Sequence, residues 1–163
     1  MKKSDQKSES LTPKKLGYKV TQVNFEQKGE RKFKDAVGLC EFNEKRIYID
    51  KTLPEQNFGS KKLCLNHELV HARIGHLLYE AKISPDNEER YVEIEAICWT
   101  AMRYLSAGEI EIKKNMTNGS KLNMRKIGHR KRIITNIFAF LNIKHVKDDL
   151  IERLAEKVID RGD

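Results

Sequence analysis

Residues 65–77 read LNHELVHARIGHL, with His67 and His71 four apart and Glu68 directly after the first. Apolar residues recur at 63, 70, 74, 77 and 78 across this stretch. That spacing predicts a helix from Lys61 to about Ala81, with Ser60 as its N-cap. On a helix, residues i and i+4 share a face, with β-carbons about 6 Å apart. His67 and His71 can therefore present two imidazoles to one ion, and zinc accepts nitrogen ligands in tetrahedral geometry. Glu68 is rotated off that line. It is too far round to ligate, yet near enough to act on a water held by the ion. The competing reading is a pair of core histidines satisfied by hydrogen bonds.

A catalytic zinc site needs a third protein ligand and an open position. His76 lies about 140° round the helix from His71, so it cannot join the same ion. The next acids are in EERYVEIEAICWTAMRYL (88–105), expected to form a second helix from about Glu88 to Ser106. Glu95 shares a stripe with Val92, Trp99 and Met102, an apolar face. A carboxylate there is costly unless paired or bound to a metal. This makes Glu95 the expected third ligand, with an internal salt bridge to Arg or Lys as the competing explanation. Glu93 lies on a stripe with Glu89, Thr100 and Arg103 that reads as a solvated face, and it is the fallback ligand. Cys64 and Cys98 lie one turn from His67 and Glu95, but thiolates favour closed structural sites. They are expected to be small buried residues. Tyr91 and Arg103 are near enough in sequence to be considered as oxyanion donors, although structural roles suit both better.

Upstream, YKVTQVNF (18–25), FKDAVGLCEF (33–42) and KRIYID (45–50) read as strands, with a hairpin turn at 43–45. The last of these, Arg46–Asp50, is expected at an exposed sheet edge where a peptide could add as a further strand. Pro85 marks a turn at 84–89, and residues 106–120 read as a connector punctuated by Gly108 and Gly119. Leu122–Ile143 and Asp148–Ile159 are expected as further helices. Residues 1–16 are Lys-, Ser- and Gln-rich and read as a disordered basic tail.

The chain has 163 residues and a net charge of +8, with 39% apolar and 34% charged residues, which suits a globular protein with a highly charged surface. No run of 18 apolar residues predicts a membrane span, and the N-terminus has no apolar signal core. Three cysteines do not make a disulfide framework, so a reducing compartment, the cytoplasm, is expected. Residues 113–132 carry eight Lys/Arg and no acid. Arg125, Lys126, Arg130, Lys131 and Arg132 form a candidate nucleic-acid contact, which would bind in a steeply salt-dependent manner. A solvated helix face explains the same residues.

The hairpin strand KRIYIDKTLP, the LCLNHELVHARIGHL helix and the EIEAICWTAMRYL helix together resemble the ImmA/IrrE family of metallopeptidases, minimal gluzincin-type enzymes of phages and mobile elements. The resemblance covers about residues 36 to 106. It implies one Zn²⁺ per chain held by His67, His71 and Glu95, with Glu68 as the catalytic base and a protein or peptide substrate. It also implies an α+β fold in which a small, mostly antiparallel sheet packs on the HExxH helix and a second glutamate-bearing helix. The expected organisation is then a zincin-like core over 17–110 and a basic helical extension over 111–163. The alternative is a basic, nucleic-acid-associated or regulatory zinc-binding protein without turnover.

Overall fold

The computed structural model describes residues 13–14, 16–55, 60–118 and 126–157. The fold is α+β. Three short strands form one sheet: β1 (Lys19–Val23), β2 (Gly38–Glu41) and β3 (Arg46–Asp50), in the order β1-β3-β2. β1 runs parallel to β3 and β2 antiparallel to it, so the sheet is mixed. β3 is the central strand, not an edge. Its Ile47, Tyr48 and Ile49 are all buried, because a strand paired on both sides and covered on both faces needs a continuous apolar run. Among the described residues, the edge strands are β1 and β2.

The strands alternate as the pleat requires. Ile47 and Ile49 face one way and pack with Tyr18 and Leu69, while Tyr48 faces the other way onto Phe25 and Phe33. Between β1 and β2 the chain makes a one-turn helix, α1 (Phe25–Lys28), capped by Asn24, and a 3-10 turn at Arg31–Phe33. The strand expected from residue 33 therefore starts only at Gly38. Asp35, at φ 59°, sits in the left-handed region and breaks the extended run. The β2–β3 hairpin closes where expected, with Lys45 at φ 53°.

α2 (Lys61–Glu80) starts at Ser60, whose hydroxyl accepts from the Leu63 N–H. After a short link, α3 (Pro85–Trp99) begins three residues earlier than expected. Ser84 caps it, and Pro85 takes the first helical position, where a missing N–H costs nothing. Residues 107–116 are a helix, α4 (Ala107–Met116), not a connector. Ser106 and Glu109 form a reciprocal capping box that outweighs Gly108. α5 (Ile127–Phe140) and α6 (Asp148–Glu156) follow.

Val70, Ile74, Leu77 and Leu78 of α2 share one apolar cluster with α3, with Ile133, Ile134, Ile137 and Phe138 of α5, and with Leu150 and Leu154 of α6. The boundary expected at 110/111 falls inside α4. The expected tail lies mostly outside the described residues. Among the described residues, no helix is long and apolar enough to cross a membrane.

Candidate metal centre

The HExxH segment lies in the middle of α2, and its two imidazoles meet edge-on one turn apart, with centroids 5.0 Å apart. The short link at 81–84 folds α3 back beside α2. This brings the first turn of α3 opposite the histidines. Glu89 bridges them: Oε1 is 2.8 Å from His67 Nε2 and Oε2 is 3.0 Å from His71 Nε2. One donor atom from each of the three residues falls within 4.8 Å of the others, a group that could hold a metal ion. Among the described residues, no other set of His, Cys, Asp or Glu converges in this way.

Glu95 is elsewhere. Its carboxylate is fully buried and accepts from Arg73 Nη2 of α2 at 2.6 Å. Glu95, expected to complete the ligand set, does not join the two histidines; Glu89 does, and the internal salt bridge describes Glu95. Helix geometry gives the reason. Six residues rotate Glu95 about 120° from Glu89, so the two carboxylates leave α3 on different faces. Glu93, one turn beyond Glu89, is exposed and close enough to His67 to influence its ionisation. His76 is exposed on α2.

Two imidazole nitrogens and one carboxylate oxygen are the donor set of a catalytic zinc with a fourth position open. Ligand bonds of about 2.0–2.1 Å place tetrahedral donors roughly 3.3–3.5 Å apart. The three donor atoms already lie within 4.8 Å of one another, close to that spacing. The residues present therefore fit the group.

The electrostatics are those of a tight acid–imidazole cluster. Hydrogen bonds from His67 and His71 hold the Glu89 carboxyl well below the usual carboxylate range. Burial pulls the His67 pKa down, but the hydrogen bond to Glu89 and the charges of Glu68, Glu89 and Glu93 outweigh it and leave it raised. Burial raises Glu68 against the opposing pull of both histidines. On the far side of His71, Nδ1 lies 3.8 Å from Glu88 Oε1.

Glu68 is buried where α2 meets β2. A β-carbon at position 38 would lie 2.6 Å from both Glu68 Oε1 and Cys64 Sγ. Gly38 is not in the left-handed region, so glycine serves here to make space. The absent side chain lets the backbone of the edge strand come down onto the Glu68 carboxylate. The Cys64 thiol donates to the Val37 carbonyl at 3.5 Å, and burial pushes its pKa up to about 12. Cys98 is buried in the core and is pushed up likewise to about 12. Both are neutral thiols. Tyr91 is fully buried, its ring tilted on Phe138 at 4.9 Å, and Arg103 lies over the Tyr104 ring.

The basic stretch is also rearranged. Arg130 is 1% exposed and faces the core, where its charge acts on Glu95. It is not available to a phosphate backbone. Lys131 pairs with Glu152, Lys126 and Arg132 are exposed, and Arg125 lies outside the described residues.

Compared with protein-family models, curated proteins and solved structures, the chain matches none.

Proposed function

We propose that this chain is a zinc-dependent peptidase of the ImmA/IrrE kind, with His67, His71 and Glu89 holding one Zn²⁺ and Glu68 acting as the general base. The observation that carries this reading is the Glu89 carboxylate bridging both Nε2 atoms, with a second, buried carboxylate one residue from the first histidine. A purely structural site has no use for that second carboxylate.

Bound zinc would bring the pKa of a water down to about 7 and polarise the scissile carbonyl. As general base, Glu68 would accept the proton of the water that attacks the carbonyl carbon. It then delivers the proton to the departing amine as the C–N bond breaks. Burial raises the Glu68 pKa toward the working pH, which suits a group that must accept a proton and give it back. An extended peptide would add along the free edge of β2, whose backbone approaches Glu68 at Gly38, and would be held by main-chain hydrogen bonds. The three free thiols suit a reducing compartment, and we place the protein in the cytoplasm.

Protein purified without chelator should carry close to one zinc per chain by mass spectrometry. Glu68→Gln should keep that zinc and lose hydrolysis of an unfolded protein substrate by roughly 10²- to 10⁴-fold, the usual worth of a general base. Full activity in the variant removes Glu68 from this role. Zinc binding with no hydrolysis by the unaltered chain returns the regulatory reading.

A further inference from the structure

Phe42 follows the last residue of β2 and keeps its alternation. Gly38 and Cys40 turn toward α2, and Phe42 does so again at the start of the hairpin turn. Its ring rests on Gly75, where a β-carbon would lie 3.3 Å from Phe42 Cζ and 3.4 Å from Glu88 Oε1. Gly75 is one turn past His71 on the same stripe of α2, and that Glu88 oxygen is 3.8 Å from His71 Nδ1. The ring therefore stands within one helical turn of an imidazole of the metal group. It is nevertheless 45% exposed.

Single exposed aromatics are common and need no explanation by themselves. Phe42 differs in its position. Gly38, at one end of β2, touches Glu68, and Phe42, just past the other, touches Gly75, so β2 spans α2 from the Glu68 level to the turn after His71. Val37, 53% exposed, flanks the Glu68 end of the same strand. Binding sites use apolar walls to grip side chains and a few polar groups to orient them, and here the polar groups are those of the ion and its ligands.

Resting on the peptidase reading, we infer that Phe42 is the specificity-determining residue: a non-polar side chain of an extended peptide lying along β2 packs against the exposed part of its ring, beside the turn of α2 that follows His71. Acidic side chains at that position are disfavoured as well, since Glu88 lies beside it.

The test uses the full chain loaded with zinc and a pool of short synthetic peptides, with cleavage sites mapped by mass spectrometry. Cleavage should concentrate on peptides with Phe, Leu, Ile or Met at one fixed distance from the broken bond. Phe42→Ala should lower kcat/KM for those peptides roughly 10- to 100-fold, the range for loss of an apolar pocket contact. It should leave peptides with a polar residue there unchanged and retain zinc. Phe42→Leu should keep the preference. A binding readout runs in parallel: zinc-loaded Glu68→Gln should bind the apolar peptides more tightly than polar ones by fluorescence anisotropy, and adding Phe42→Ala should erase the difference. Cleavage without an apolar preference, or a preference that survives Phe42→Ala, overturns the role of Phe42 and leaves the peptidase reading intact. No cleavage of any peptide by the unaltered chain overturns both.

Discussion

Among the acid–base contacts that join α2 to α3, those of Glu89 and Glu95 differ mainly in depth. Near the start of α3, Glu89 meets His67 and His71 with more than half of its side chain exposed. Further along α3, Glu95 meets Arg73 with both side chains sealed in the core. The buried contact pairs a carboxylate with a guanidinium that never releases its proton, so it can only lock the helices. The open contact pairs a carboxylate with imidazoles that exchange protons near neutrality and accept metals, so the same geometry can take up an ion. Depth and the choice of base divide the α2–α3 interface into a fixed part and a reactive part.

The largest effect should come from unbalancing the buried pair. Burial raises the Glu95 pKa against the pull of Arg73 and Arg130, so its charge depends on those neighbours. Arg73→Met should destabilise the metal-free protein by about 3–5 kcal/mol in urea denaturation, because it strands a buried carboxylate. The double variant Arg73→Met with Glu95→Leu should recover most of that loss, since well-packed apolar replacements of such pairs are often neutral. A loss below about 1 kcal/mol in the single variant would mean that Glu95 is held by something other than Arg73.

The open contact should respond in the opposite way. Glu89→Ala should change metal-free stability by less than about 1 kcal/mol, because the group is exposed and screened. It should abolish the stabilisation by zinc, which for the unaltered chain reaches about 2.7 kcal/mol at a free zinc concentration one hundred times Kd. Melting with zinc and with a chelator measures both. The pH dependence has opposite signs in the two states. The raised His67 pKa favours its protonated form in the metal-free fold, so that contribution is full below about pH 6.5 and is lost as pH rises through the folded value. Zinc needs the unprotonated nitrogen, so its stabilisation grows over the same rise. Parallel trends would separate His67 from the ion.

The sequence made some of this legible and hid the rest for identifiable reasons. α2 could be read because its apolar residues keep a helical period and a serine precedes them, and the His67–His71 pair came with it. The carboxylate was harder to place. Glu95 on an apolar stripe correctly signalled burial, but burial does not name the partner. A clue lay in Arg73, which interrupts the apolar stripe of α2 as Glu95 interrupts that of α3. Two opposite charges misplaced on neighbouring helices imply each other. Glu89 looked like an ordinary solvated residue because it lies on the wet face of α3, and nothing in its own stripe marks its contact with the two histidines. α4 was obscured by Gly108 although its S-x-x-E cap was in plain view. The central place of β3 depends on a parallel pairing with β1 across more than twenty residues, and no local pattern encodes that.

The smallest effect, and the finest test of which carboxylate holds the ion, belongs to Glu93. It lies one turn beyond Glu89 on nearly the same face of α3, outside the converging group. Its charge helps to raise the His67 pKa without touching the Nε2 atoms that Glu89 bridges. Removing it as Glu93→Ala acts on zinc through two opposed terms. Loss of a nearby negative charge weakens attraction for the cation, while a lower His67 pKa eases proton release. Both act through partly exposed, screened space, so zinc affinity should change by less than about tenfold, equivalent to roughly 1.4 kcal/mol. Glu89→Ala removes a donor atom outright and should cost far more. Competition titrations against a chromophoric chelator at two pH values would rank the two variants. Equal losses would place Glu93 beside Glu89 among the groups that hold zinc in the loaded protein.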